Sequence, residues 1–164
     1  MMRILRLAGT VLLLALSGCL GPQAPLYPQV ASTVPPVPSN QGRIYFYREY
    51  EPYESLSRPY LYLNRGIVGI SIPGGVFYRD VPPDTYEVSV YSRGAFPNQF
   101  KTIAVKPGDV FYAKIESLRS WYSGNGVIST FEPDTFVVAI IDPNQARAEF
   151  ERMRYVQAEE PAQP

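Results

Sequence analysis

Ile44-Tyr45-Phe46-Tyr47 is the stretch of sequence that decides the fold class. β-Branched and aromatic residues favour pleated, half-buried surfaces. In this run both faces are apolar, which is typical of a central strand. Outward from it, Tyr86, Val88 and Val90 alternate with more polar neighbours, a pattern that indicates a sheet with one packed face. The sequence therefore predicts a mainly β protein.

Further strands follow from the same kinds of pattern. The candidates are Tyr60-Leu61-Tyr62-Leu63, Ile67-Val68-Gly69-Ile70, Val76-Phe77-Tyr78, 100–105, 111–115 and 136–141. Asn64-Arg65-Gly66 predicts a three-residue hairpin turn whose glycine takes a positive φ. Short strands at this spacing, without intervening helices, predict a seven-to-eight-stranded antiparallel β-sandwich.

One C-terminal amphipathic helix is predicted over residues 142–156. Asp142 suits the N-cap and Pro143 suits the first helical position. Ala146, Phe150 and Met153 then form one apolar stripe. We expect the helix to pack across an open face or edge of the sandwich; the alternative is a helix that binds a partner.

The N-terminal residues have the three parts of a secretory signal: Arg3 and Arg6, an apolar run, and small residues before a cysteine. Leu16-Ser17-Gly18-Cys19 resembles the bacterial lipobox at all four positions, which implies a diacylglycerol on Cys19 and cleavage before it. The alternative is an ordinary secreted protein cleaved nearby. Cys19 is the only cysteine, and without lipid it would be an unpaired thiol in an oxidising compartment.

These features divide the chain into five parts: a signal peptide over 1–18, a lipidated cysteine with a Pro-rich tether over 19–42, a β-sandwich domain over 43–141, the helix over 142–156 and a polar tail over 157–164. Prolines in the tether favour extended polyproline II, which at ~3.1 Å per residue would reach roughly 70 Å from the lipid. A Pro-rich partner motif is the other interpretation.

The predicted location is the cell envelope, with the protein lipid-anchored to the membrane. In a Gram-negative host, Leu20 resembles the default for the outer membrane, facing the periplasm, because it is not the aspartate associated with inner-membrane retention. Fifteen basic and fifteen acidic residues cancel, so no net positive charge favours nucleic acid.

Catalytic machinery is largely excluded by composition. The chain has no histidine, and its one thiol is assigned to lipid, which excludes Ser-His-Asp and Cys-His sites and most zinc sites. We expect no cofactor, no metal and no enzyme. A carboxylate pair for glycoside hydrolysis, drawn from Asp80, Asp84, Asp109 and Asp134, stays open as the less favoured alternative.

Aromatic residues supply the candidate binding sites. Trp121 and Tyr122 stand beside a glycine-rich segment and suit a partner or glycan contact; the alternative is an aromatic loop folded over the sheet. Tyrosines of the predicted outer sheet face form either a platform for glycan strands or for a strand added at the sheet edge, or cross-strand packing pairs. They are Tyr45, Tyr47, Tyr60, Tyr62 and Tyr112. A loop over 49–54 carries three carboxylates and two tyrosines, which suit a cation, a basic peptide or plain solvent.

Three motifs appear in the order found in a family of small bacterial lipoproteins that share a β-sandwich domain of unknown function. They are Gly42-Arg43-Ile44-Tyr45-Phe46-Tyr47-Arg48, the hairpin 62–69 and the turn Asp80-Val81-Pro82-Pro83-Asp84-Thr85-Tyr86. The turn is also similar to PEGA-type and carboxypeptidase-regulatory-like modules, small sandwiches used for binding and spacing. The resemblance covers residues 42–118 and departs at Asp84, where glycine is usual. It implies location and fold, and it transfers no catalytic residue.

The function predicted from these observations is that of a lipid-anchored, non-enzymatic binding or spacer module with an envelope protein or glycan as its partner. The first alternative is an accessory subunit that docks onto an envelope assembly. A carboxylate-dependent enzyme acting on carbohydrate comes third.

Overall fold

A computed structural model describes residues 24–51, 56–94, 99–118 and 134–158. Its nine strands are β1 (Gly42–Arg48), β2 (Tyr60–Leu63), β3 (Gly66–Ile70), β4 (Gly75–Val81), β5 (Asp84–Val90), β6 (Phe100–Val105), β7 (Val110–Ser117), β8 (Phe136–Ile140) and β9 (Arg154–Tyr155). The helices are α1 (Tyr27–Val30), a 3₁₀ turn (Ala31–Thr33) that follows it, and α2 (Pro143–Phe150).

The strands form two packed sheets, in the orders β8-β7-β1-β4-β9 and β3-β2-β5-β6. This confirms the predicted mainly β sandwich with a C-terminal helix. The described residues contain nine strands rather than seven or eight, and two pairs, β1 with β7 and β4 with β9, are parallel. Parallel neighbours need a long crossover, and the whole second sheet lies between β1 and β7 in the chain.

The main core lies between the sheets. The central strand β1 contributes Ile44 and Phe46, and the opposite sheet contributes Leu61, Leu63 and Val88. All five side chains are buried. The strand alternation in the sequence therefore identifies the inward positions of β5.

A second core covers the outer face of the five-stranded sheet. Tyr45 and Tyr47 of β1 and Tyr112 of β7 pack there against Phe150. Helix α2 lies over these rings, because its apolar stripe has no other surface to cover. The side chains on the outer face of β1 are consequently buried, as are those on its inner face.

Helix α2 begins as predicted, with the Asp142 carboxylate accepting a hydrogen bond of 2.8 Å from the Asn144 amide. It ends at Phe150 rather than at residue 156. Met153 is buried, but it follows a turn, and the chain then pairs as β9 with β4. The apolar stripe therefore continued past the end of the helix.

The predicted extended tether over 19–42 is corrected at residues 24–33. Residues 24–33, here called the N-terminal arm, contain α1 and a 3₁₀ turn. The arm is docked: the Tyr27 amide donates to the Met153 carbonyl at 2.7 Å, and the Tyr155 amide donates to the Pro25 carbonyl at 2.9 Å. Tyr27 also packs on Phe150, with ring centres 5.0 Å apart.

The hairpin between β2 and β3 has a tighter turn than predicted. Asn64 and Arg65 both take positive φ, 48° and 69°, as in a two-residue type I′ turn whose twist matches the flanking strands. Gly66 already belongs to β3. Asp84, where the resembled family has glycine, does not take a positive φ, so the aspartate costs no backbone strain there.

Candidate functional site

An open groove of about 520 Å³ is the candidate functional site. It lies where β2 begins, β5 ends and β8 begins, and this volume falls in the range of ordinary ligand sites. We call it the Arg-Tyr groove, and its lining residues are Ser57, Arg58, Pro59, Tyr60, Tyr62, Tyr91, Arg93, Asp134 and Phe136.

Backbone hydrogen bonds hold the walls of the groove in place. The Tyr91 amide donates to the Tyr60 carbonyl at 2.8 Å, and the Arg93 amide donates to the Asp134 carbonyl at 3.1 Å. Ser92 adds a side-chain link, since its hydroxyl accepts from the Phe136 amide at 3.0 Å. The groove is thus preorganised, which lowers the entropic cost of binding a ligand.

Arg48, at the end of β1, positions the floor of the groove. Its side chain is only 1% exposed. Its Nη1 donates to the Ser57 carbonyl at 2.8 Å, and its guanidinium carbon lies 4.8 Å from the centre of the Phe136 ring. Arg48 therefore fixes the positions of Ser57 and Phe136, which line the groove. The arginine that ends the motif over residues 42–48 thus has a structural role.

The groove offers both cationic and aromatic surface to solvent. Tyr60 and Tyr91 are 40% and 55% exposed, and Arg58 and Arg93 are also exposed. Within the described parts of the chain, neither of these two guanidinium groups has an ion-pair or hydrogen-bond partner. Guanidinium groups match carboxylate and phosphate groups in a bidentate way, so the groove suits an anionic ligand.

A second polar cluster lies under α2. Lys114 Nζ donates to Glu49 at 2.6 Å and to Glu149 at 2.9 Å. The Tyr47 hydroxyl donates to the other oxygen of Glu149 at 2.8 Å. Burial and this hydrogen bond raise the pKa of Tyr47.

The contacts in this cluster favour the ionised forms of Lys114 and Glu149. Burial alone lowers the pKa of Lys114, but its hydrogen bonds to Glu49 and Glu149 outweigh burial, so the pKa of Lys114 is raised. Burial raises the pKa of Glu149, but hydrogen bonds from Gln145, Lys114 and Tyr47 outweigh it, so the pKa of Glu149 is lowered. Catalytic lysines and general-acid carboxyls need the opposite shifts. The cluster therefore fastens α2 to the sheet.

The structure separates the sequence-predicted aromatic residues into three groups. Tyr60 and Tyr62 line the groove. Tyr45, Tyr47 and Tyr112 are buried beneath α2, so the predicted outer-face platform is corrected: a helix covers it. Trp121 and Tyr122, like the lipidation residue Cys19, lie outside the described residues.

Asp134 lies far from Asp80, one of the other carboxylates considered for hydrolysis. Asp80 belongs to β4 opposite Arg43 and forms an ion pair with it at 2.6 Å. Asp134 precedes β8, whose first residue pairs with Ser117 at the far end of β7. The length of β7 between these ends is about 23 Å at the usual rise per residue, whereas hydrolytic pairs lie about 5–9.5 Å apart.

Arg58, Arg93 and Tyr91 are the groove residues that sequence reasoning missed. The available signal was an arginine and a tyrosine at the start of β2 (Arg58 and Tyr60) and again just after β5 (Tyr91 and Arg93). Leu61 pairs with Val90, and this antiparallel pairing brings the two segments together. Local sequence patterns do not encode the pairing of non-consecutive strands. These two segments could therefore be assigned to one site only once the strand order was known.

Comparison of the chain with protein-family models, with curated proteins and with solved structures finds no match. Among the described residues, no helix is both long and apolar enough to cross a membrane, and no group of three or more acidic, cysteine or histidine side chains gathers as in a metal site. The fold and the groove therefore carry the functional argument.

Proposed function

We propose that this protein is a lipid-anchored envelope lipoprotein that acts as a non-enzymatic binding module, with the Arg-Tyr groove as its binding surface. The observation that carries this proposal is a pair of exposed arginines, without a partner among the described residues, beside two exposed tyrosines. Tyrosine and arginine are the residue types that dominate binding hot spots. The lipobox-like tetrapeptide supports the anchor, and the resemblance to small envelope lipoproteins supports the location.

The anchor is tested by metabolic labelling with a palmitate analogue in the native host. Cys19→Ser removes the sulfur to which the lipid is proposed to attach, so we expect the label to disappear and the protein to remain uncleaved or soluble. Ser17→Ala, which alters the same signal but keeps the cysteine, is the matched control. Label that persists on the serine variant overturns the anchor.

The binding surface is tested by photocrosslinking in intact cells. A photoreactive side chain at position 91 places the probe in the groove, and one at position 106 places it in the β6–β7 turn. The two probe positions lie near opposite ends of β6, because Ser89 pairs with Phe100 and Asp84 pairs with Val105. We expect an adduct from position 91 and none from position 106.

The chemical nature of the adduct decides between the proposed function and its runner-up. A single protein joined in stoichiometric yield supports an accessory subunit of an envelope assembly. Glycan or mixed adducts support the binding module. The absence of any adduct specific to position 91 rejects the groove as a binding surface.

A further inference from the structure

We infer that the Arg-Tyr groove recognises an acidic glycan strand, in which sugar rings lie on the tyrosines and anionic substituents pair with the arginines. This inference rests on the proposed function, because it names the class of ligand for that same groove.

The two arginines supply the argument for negative charge. Three cations on the strands of the sandwich already have partners. Arg43 pairs with Asp80, Lys114 pairs with two glutamates, and the Arg79 side chain donates to the Val68 carbonyl at 2.8 Å. Arg58 and Arg93 are instead exposed, and within the described residues they have no partner. Two guanidinium groups in one groove, both without a partner in the described ranges, favour a ligand with repeated anionic groups.

The two tyrosines supply the argument for sugar. Tyr60 and Tyr91 are neighbours across the β2–β5 pairing, joined by their backbone hydrogen bond, and about half of each ring is open to solvent. A tyrosine presents an apolar ring with a hydroxyl at its edge, which suits the apolar face and polar rim of a sugar. A purely apolar ligand would leave the arginines unpaired, at a cost in desolvation.

Asp134 and the number of cations argue against the main competing polymer. Nucleic acid is held by many phosphate contacts, yet the chain has no net charge and the groove combines two arginines with a carboxylate. An acidic glycan satisfies both the arginines and the tyrosines.

The test uses the full-length lipoprotein in detergent micelles and measures its affinity for glycans by calorimetry. The probes share one backbone: chitin oligosaccharides, and oligosaccharides of equal length in which alternate rings carry a lactyl carboxylate. The carboxylates of the second probe are also converted to methyl esters, which keeps its shape and removes its charge. A glycerol-phosphate polymer with sugar substituents tests phosphate as the anionic group.

We expect the free acid to bind at least tenfold more tightly than its methyl ester or the chitin oligosaccharide, with the difference shrinking in high salt. Arg58→Gln and Arg93→Gln should each weaken binding of the acid about tenfold and leave binding of the ester unchanged. Lys106→Gln removes the same charge at the opposite end of β6 and should have no effect. Tyr91→Ala should weaken binding of the acid and the ester alike.

Equal affinity for acid and ester overturns the inference, and this comparison needs no variant protein. Tighter binding of the phosphate polymer supports an acidic glycan and assigns phosphate as its anionic group. If all glycans fail to bind while position 91 still crosslinks to a protein in cells, the inference fails and the binding surface of the proposed function stands. If neither occurs, both fail.

Discussion

Lys114 shows how a charged side chain near the core holds two elements together. It is 12% exposed and contacts carboxylates from the chain after β1 and from α2. Removing one partner of such a cluster leaves the others with an incomplete set of hydrogen bonds. Glu149→Gln should therefore lower the free energy of unfolding by about 2 kcal/mol at pH 7.

The effect of Glu149→Gln should depend on pH with a definite sign. The folded-state pKa of Glu149 lies below its ordinary value of 4.5, so its stabilisation is present above that value and is lost as pH falls through the folded-state pKa. The difference between wild type and variant should therefore shrink as the pH falls below 4.5. Urea unfolding at neutral and acidic pH measures it. Glu151→Gln, on the exposed side of the same turn, is the control, and a pH-independent difference would contradict the prediction.

Arg48 is the second residue whose loss should reach beyond its own contacts. Arg48→Met keeps much of the volume but removes the hydrogen bond to Ser57 and the charge over Phe136. We expect at least about 2 kcal/mol of destabilisation in urea unfolding, because the partly buried Ser57 carbonyl loses a charged donor. Arg48→Lys should recover only part of it, since an ammonium lacks the planar fork. Full recovery with lysine would show that charge alone matters.

At the residue scale, the sheet face that a strand residue occupies was predictable from local pattern, and function was not. The alternation of Val88 and Val90 identified two core residues correctly, because period-two patterns report which face is packed. The same pattern made Tyr45 and Tyr47 outward-facing, which they are. Their burial depends on a helix about a hundred residues away in the chain, and no strand pattern carries that information.

Helix α2 is the element that converts an exposed sheet face into a second core. Phe150, the last residue of the helix, lies within this second core: its ring centre is 5.1 Å from that of Tyr47 and 5.5 Å from that of Tyr45. Phe150→Ala should therefore cost about 3 kcal/mol, the usual loss for a large buried aromatic. Urea unfolding measures it, and Ala148→Ser on the exposed face of the helix is the matched control. A loss no larger than that of the control would mean that the helix is loosely attached.

The sequence located α2 well at its beginning and poorly at its end. Asp142 and Pro143 are specific start signals, since their side chains act on the first turn itself. The sequence did not indicate where the helix ends, because Met153 continued the apolar spacing past Phe150. In the structure the Met153 amide donates to the Phe150 carbonyl in a turn, and the chain proceeds to β9. A two-residue strand has too few positions to show any periodicity.

At the scale of the whole molecule, the docked N-terminal arm determines how far the domain sits from its proposed anchor. An undocked, extended tether would reach roughly 70 Å. Tyr27 is instead fixed to the Met153 carbonyl and the Phe150 ring, and eight peptide steps separate it from Cys19. Even fully extended, that length spans only about 28 Å. The proposed lipid anchor therefore implies a domain held close to the membrane surface.

Energy transfer to the membrane measures this distance. Ser32 is exposed on the arm, and Ser32→Cys supplies the one free thiol of the mature lipoprotein when Cys19 carries lipid. A donor dye at position 32 and acceptor lipids in vesicles should give strong transfer, because the arm cannot leave the sheet. An insertion of about twenty Gly and Ser residues between Gly21 and Pro22 lengthens the flexible part and should reduce the transfer sharply.

A second variant separates arm docking from linker length. Tyr27→Ala removes the ring contacts and the 3.2 Å hydrogen bond from the Tyr27 hydroxyl to the Tyr45 hydroxyl, so it should free the arm and reduce transfer from a donor placed instead at position 106, in the β6–β7 turn. It should also cost about 2 kcal/mol in urea unfolding, since each aromatic pair contributes about 0.5–1.5 kcal/mol. Equal transfer in wild type and in the insertion variant would mean that the arm does not govern the distance, and the domain would then move on a free tether.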